Sequence, residues 1–406
     1  MNYFKIAWRN LWRNKRRTLI TVASIFFGVM LATIMNSLQD GTYSNMIDMM
    51  VKLSSGYLQI QNPDYQENKS INNTFAPTDN MMEQLESIPK ITTVAKRLET
   101  FALLSSGPNT RGGAVVGFEP EKDKLTSNLQ NWISSGSFLT EGDRSVLVTA
   151  NIAKHLNLNV NDSIILISQG YRGVTAAGMY PIKGILTFST PQMNSIGVFM
   201  DIKLAQELFS AEGLVTSLNI MVNDYTDVGS VQSSLNNLTN GDFTVLNWRE
   251  LNPEIVQFIQ SDKAGSVIML GILYMVIGFG IFGTIIMMVA ERRRELAVMV
   301  AVGMQKYKLS TILFIETLLI GLVGVIAGFA ASVPVVLALV GNPIELPAEM
   351  AEAYAQYGFE PYLFFGSSPV VFAIQVIVVF SFTLIISIYP IMKVKNMIVS
   401  KAIKGE

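Results

Sequence analysis

The sequence contains no cysteine and a single histidine, His155. Thiol redox chemistry and cysteine-based zinc sites are therefore excluded, and one imidazole cannot build a histidine metal centre. His155 sits in the helical run NIAKHLNL with neither a nucleophile nor an orienting partner identifiable, so it reads as a surface or packing residue. Charge is also scarce, at 15% of 406 residues, while 50% are hydrophobic and the mean hydropathy is +0.37. A soluble enzyme of this length carries more charge, which points to a membrane protein. A phosphate-binding loop is missing as well. GPNTRGG and GVTAAGMY hold suggestively spaced glycines, but no Lys-Ser/Thr pair follows. Gly278 to Gly283 spells GxGxxG inside an apolar run rather than after a strand, so the dinucleotide reading fails. No catalytic constellation emerges, and no nucleic-acid partner is expected.

What is present is four apolar runs, at 18–38, 267–290, 309–339 and 369–389, each long enough to cross about 30 Å of hydrocarbon. Only the third carries a charge, Glu316. The bases are placed unevenly. Lys5, Arg9, Arg13, Lys15, Arg16 and Arg17 precede the first run; Arg292, Arg293, Arg294, Lys306 and Lys308 lie between the second and third; Lys393, Lys395, Lys401 and Lys404 follow the fourth. These short pieces hold half of the 30 lysines and arginines. Residues 342–368 hold no base and carry Glu345, Glu349, Glu352 and Glu360. The positive-inside rule then predicts cytoplasmic termini and a cytoplasmic 291–308 segment. The expected fold class is a membrane protein of four transmembrane α-helices with a large α+β extracytoplasmic domain between the first and second spans. Expected boundaries are an interfacial helix at 1–17, that domain at 39–262 in two lobes, an acidic outer loop at 342–368 and a tail at 390–406.

The first apolar run is too long for a signal-peptide core and lacks a small-x-small closing site, so it reads as a retained anchor. Before it, FKIAWRNLWRNKRRT places Phe4, Trp8, Leu11 and Trp12 on one helical face and most bases on the other. Trp8 and Trp12 are the expected interfacial anchors, with the bases toward anionic membrane lipids. Within 39–262, GYLQIQ, AVVGFE, SVLVT, SIILIS, VFMDI and LNIMV read as strands. TDNMMEQLESI, with Thr78 or Asp79 as N-cap, TANIAKHLNL and IKLAQELFS read as helices. SSGPNTRGG and YRGVTAAGMYP read as turns or lobe junctions.

Glu316, two turns into a span, is costly unless paired, and pairing with a polar group or with the 291–308 segment is favoured over a proton relay. Gly321, Gly324 and Gly328 suit close helix packing, and the last two form GxxxG. ERRREL opens a short helix that runs through LAVMVAV and stops at Gly303. Leu296, Met299 and Val300 share one face, and little polar surface remains elsewhere. Such a helix has to bury itself, either on neighbouring span ends or in a groove of a partner protein.

ERRRELAVMVAVGMQ, followed by Glu316 and the three glycines, resembles the signature of the MacB/FtsX/lipoprotein-releasing permease family. VVGFEPEKDKL, the GSFLTEGD and VLVTANIAKHLNLNVNDSIIL blocks, VFMDIKLAQELF, the closing YPIMKVKNMIVSKAIK and the opening AWRNLWRNKRRTLIT agree with it. The resemblance implies a permease subunit of the bacterial inner membrane that is not itself an enzyme. Glu291, Arg292, Arg293, Arg294, Glu295, Leu296, Met299, Val300 and Gly303 would form the coupling helix that docks on a separate ABC-type ATPase dimer. That partner would bind ATP and Mg; this chain holds no cofactor. A second permease copy or related permease, and a periplasmic or outer-membrane partner, complete the expected assembly. Two functions follow: mechanotransmission that exports or extracts a lipophilic, lipoprotein or peptide-like substrate, or FtsX-like signalling that activates a periplasmic partner. The size of the outer domain favours the first.

Overall fold

The computed structural model describes residues 3–13, 15–188, 193–223, 227–356, 360–399 and 402. Lys401 and Lys404, and the side chain of Glu352, lie outside the described residues. The chain divides into a helical unit (residues 1–44, 259–344 and 363–406) and a mixed unit (residues 45–258 and 345–362).

The chain opens with α1 (Tyr3–Arg13) and α2 (Lys15–Met50). The mixed unit follows with β1 (Leu58–Gln61), α3 (Asp79–Glu86), β2 (Ile91–Ser106), β3 (Asn109–Phe118), β4 (Ile133–Gly136), β5 (Val146–Thr149) and α4 (Ala150–Leu156). It continues through β6 (Ser163–Gln169), β7 (Thr175–Leu186), β8 (Gly197–Asp201), α5 (Ile202–Leu208), β9 (Ser217–Val222), α6 (Val228–Thr239), β10 (Thr244–Asn247) and α7 (Trp248–Leu251). Then come α8 (Pro253–Glu291), α9 (Arg293–Ala301), α10 (Lys306–Gly341), β11 (Ile344–Glu345), α11 (Ala348–Gln356), β12 (Tyr362–Leu363), α12 (Pro369–Ile386) and α13 (Ile388–Lys395). Four long helices, α2, α8, α10 and α12 with α13, are long and apolar enough to cross a membrane.

In the mixed unit, six strands close on themselves. β2 pairs with β3, β3 with β8, β8 with β5, β5 with β7, β7 with β6, and β6 returns to β2. The result is a barrel core within an α+β domain. β9, β1 and β10 extend from β2 as an antiparallel wing. Alternation along β7 turns Ala176, Tyr180, Ile182 and Leu186 inward, into cores shared with the other strands. The segment GVTAAGMYP, expected as a turn or junction, is therefore mostly strand. Its glycines mislead because the alternating small and large residues around them still present one buried face. SSGPNTRGG, by contrast, spans the β2–β3 hairpin, whose Gly107 takes φ +55°.

Local signals explain several helix starts. The Thr78 hydroxyl accepts the Met81 amide at the head of α3, and Asp201 accepts Lys203 N at 2.8 Å to start α5. His155 lies 3.0 Å through Nδ1 from Arg111 Nη1 at an exposed position. No cluster of three or more His, Cys, Asp or Glu able to hold a metal occurs among the described residues. Asp123 and Asp201 are both buried acids of the domain; Asp123 has the Leu129 and Gln130 amides and the Arg97 charge beside it, but burial nonetheless pushes its carboxyl up to about 6.

In the helical unit, the three span-three glycines are each filled by a neighbour in the same chain. A Cβ on Gly321 would fall on the Thr383 side chain of α12; on Gly324 it would meet Ile25, and on Gly328 Val29 and the Phe26 carbonyl, all from α2. Gly278 and Gly283 of the GxGxxG stretch face open space.

Candidate functional site

The bases and acids of α1, the 291–295 segment and α10 converge at one end of the helical unit. Helix α8 ends at Glu291, and Arg292 leaves helical geometry at φ −87°, ψ 1° before α9 begins at Arg293. That break turns the Arg292 side chain inward, where it is 7% exposed against a Glu316 side chain of 2%. Arg292 Nη1 donates to Glu316 Oε1 at 2.8 Å and to Oε2 at 2.9 Å. Asn10 of α1 donates to the same carboxylate at 3.4 Å. A carboxylate in a span is stable only when paired in this way. Two further bridges reach α9 and the end of α8 from the N-terminal side: Arg13 Nη2 to Glu295 Oε2 at 2.7 Å, and Arg17 to Glu291.

α1 packs along α10 and buries Ala7 and Leu11, leaving Phe4, Trp8 and Trp12 exposed. Trp8 and Trp12 meet edge to face, with ring centroids 6.1 Å apart. The face of α9 that carries Leu296 and Ala297 is also buried. It meets Leu309 and Leu313 of α10 and Val394, Met397 and Ala402 near the C-terminus, with Met299 and Val300 packed at its edge. Lys306 Nζ holds the end of α13 by donating to the Met397 carbonyl at 2.7 Å. The helix stops at Gly303, whose φ of +103° suits glycine. Gly303 N donates to Val300 O and Met304 N to Met299 O, both at 3.0 Å, the paired bonds of a Schellman end.

Of the nine residues expected in the docking segment, Glu291, Arg294, Glu295 and Gly303 are exposed, Arg293, Met299 and Val300 are half-buried, and Arg292 and Leu296 are buried. Arg292 and Leu296 lie inside the bundle, Arg292 because Glu316 requires a partner and Leu296 because α10 and the C-terminal segment cover it. The exposed surface of α9 and its following turn also includes Val298, Ala301 and Val302, with Val302 84% exposed, and Tyr307 beyond it. Those apolar residues were not singled out from the sequence, where nothing distinguishes Val298 and Val302 from their buried neighbours. Glu291 closes the preceding helix rather than opening this one.

Residues 18–238, more than half of the chain, match the family model for the MacB-like periplasmic core domain, and residues 267–398 match the FtsX-like permease C-terminal model. The chain is 22% identical over 254 residues to the lipoprotein-releasing system transmembrane protein LolC of Xylella fastidiosa, a match covering 60% of each chain. It is 21% identical over 360 residues to the macrolide export ATP-binding/permease protein MacB of Wolinella succinogenes, covering 81% of this chain and 52% of that one. Among solved structures, the periplasmic region of MacB from Actinobacillus actinomycetemcomitans aligns over 52% of this chain and 95% of its own, at 14% identity and a TM-score of 0.36.

Proposed function

Because the chain belongs to the MacB/FtsX-like permease family, we propose that it is the permease subunit of an ATP-driven ABC transporter. In this reading both termini and α9 face the cytoplasm of a bacterial inner membrane, and the barrel-containing domain lies outside. A separate ABC ATPase dimer binds ATP and Mg and docks on α9 of two permease copies, or of this chain and a related permease. Closure of the ATPases moves the spans, and the motion is delivered to the outer domain, where a lipophilic, lipoprotein or peptide-like substrate is extracted or exported.

One observation carries this reading. α9 exposes Val298, Ala301 and Val302 beside Arg294 while its opposite face is held by the Arg292–Glu316 pair and the Leu296 cluster. An exposed apolar strip on a helix so firmly seated suits a partner surface. Rigid seating is also what force transfer requires, since a helix that rocked on its own bundle would dissipate the stroke. The similarity to a lipoprotein-releasing protein and to a macrolide exporter supports a lipophilic cargo. The outer domain's size supports cargo handling over pure signalling.

The test is purification of the tagged chain with any bound ATPase, for the parent and for Val302→Glu. Copurification and substrate-stimulated ATP hydrolysis are expected for the parent, with both lost in the variant. Undiminished ATPase binding and stimulation in Val302→Glu would show that α9 is not the docking element.

A further inference from the structure

Between α1, α9 and α10 lies a cleft of about 550 Å³, within the size range of small-molecule sites. Its floor is apolar, built by Leu296, Leu309, Ile312 and Leu313, all buried. Its walls carry three guanidinium groups, from Arg13, Arg292 and Arg294, against one carboxylate, Glu295. Arg292 is held by its own chain, since Nη1 serves Glu316 and the buried Nε faces Glu295 at 3.8 Å, which leaves Arg294 as an exposed guanidinium of the cleft.

The position of the cleft narrows what could occupy it. α1 ends one residue before α2 begins, and the cleft floor lies within the first two turns of α10, where its apolar run starts. The exposed Phe4, Trp8 and Trp12 mark α1 as a helix of the membrane interface. Lipid phosphates and the first methylenes of acyl chains occupy this depth.

We propose that the cleft is a binding site for an anionic phospholipid of the leaflet facing the basic segments. The phosphate accepts hydrogen bonds from Arg294, an exposed guanidinium of the cleft, and an acyl chain lies over Ile312 and Leu309. Guanidinium–phosphate pairing holds the headgroup, the arginines disfavour a headgroup that carries its own cation, and the apolar floor excludes free phosphate as an equal ligand. Bound lipid would also bear on α9 through Arg292, Arg294 and the Arg13–Glu295 bridge, which makes the charge of the membrane an input to the coupling segment.

The experiment is native mass spectrometry of the full chain without any ATPase, exchanged into phosphatidylglycerol or phosphatidylcholine of identical acyl chains. One phosphatidylglycerol per chain should be retained, with phosphatidylcholine about tenfold weaker, the effect of holding a choline cation beside the arginines. Arg294→Gln should cut phosphatidylglycerol retention by a similar factor, Arg294→Lys by less, and Ile312→Trp, which fills the floor, should abolish it. Inorganic phosphate should not displace the lipid. Equal retention of the two lipids, parental retention in Arg294→Gln, or displacement by phosphate alone would overturn the proposal. Because the measurement omits the ATPase, its outcome is separate from that of the docking test.

Discussion

One nitrogen of Arg292 bridges both carboxylate oxygens of Glu316, 24 residues further along the chain, at 2.8 and 2.9 Å. The pair joins the kink between α8 and α9 to the first turns of α10, and Asn10 adds α1 to the same carboxylate. Removing one partner leaves a buried charge uncompensated, a loss of about 3–5 kcal/mol. Arg292→Gln and Glu316→Gln should each lower the thermal stability of the detergent-solubilised chain markedly. The double replacement Arg292→Met with Glu316→Met should recover much of the loss. A double variant as unstable as the sum of the singles would show that the two groups act independently.

The two faces of α9 should respond differently to substitution. Leu296→Ala opens a cavity against Leu309, Leu313 and Val394 and should destabilise the chain by about 2–5 kcal/mol. Val302→Glu, on the exposed side, should leave the melting temperature nearly unchanged while ATPase association is lost. Thermal melts and copurification on the same preparations separate the two effects.

The glycines of α10 are seated on helices of their own chain, and this predicts an asymmetry between two glycine motifs. Gly324→Leu and Gly328→Leu drive a side chain into Ile25, Val29 and the Phe26 backbone, and should reduce the yield of folded chain. Gly283→Leu meets open space in the monomer and should fold normally. Equal tolerance at Gly328 and Gly283, read by size-exclusion profile, would argue against the α2–α10 contact.

Asp123 gives a pH dependence whose sign is set by its raised pKa. The folded chain holds the proton up to about pH 6, whereas the unfolded chain releases it near 3.8, so the folded state is favoured at low pH by this group and loses that advantage as pH rises from about 4 to 6. Asp123→Asn should remove the effect and increase hydrogen-exchange protection of residues 119–132 at pH 7 relative to the parent. The upper bound for a shift of this size is about 3 kcal/mol. No gain in protection at pH 7 would mean that the carboxylate is compensated by its neighbours.

Much of the architecture was legible because membrane spans, caps and short alternating runs are local signals. Thr78 and Asp201 announce helix starts through their own backbone bonds, and Gly303 announces a stop through its positive φ. β2 was not legible as a strand, since Lys96, Arg97 and Glu99 interrupt its apolar pattern; in the fold Arg97 is buried and bridged to Glu99 at 2.7 Å. Closure of the barrel rests on a β2–β6 register of three residue pairs between distant segments, which no window of sequence contains. The candidate site was legible in its composition and not in its orientation. Three consecutive arginines look alike in sequence, and only the bend at Arg292 decides which one turns inward to Glu316. Likewise Leu296 and Val302 differ little in hydrophobicity, but their angular positions on α9 place one against α10 and leave the other uncovered.

Closure of the six strands has a mechanical consequence. A hoop of hydrogen-bonded ladders cannot widen or shear without parting a complete row of bonds, so it resists deformation where an open sheet would flex. The wing of β9, β1 and β10 has no such closure, and among the described strands its ladder reaches the hoop only where β9 meets β2. Under load, tension between wing and hoop crosses that seam together with the hydrophobic core the two share. β2 is therefore both a stave of the hoop and the strand on which the wing is paired.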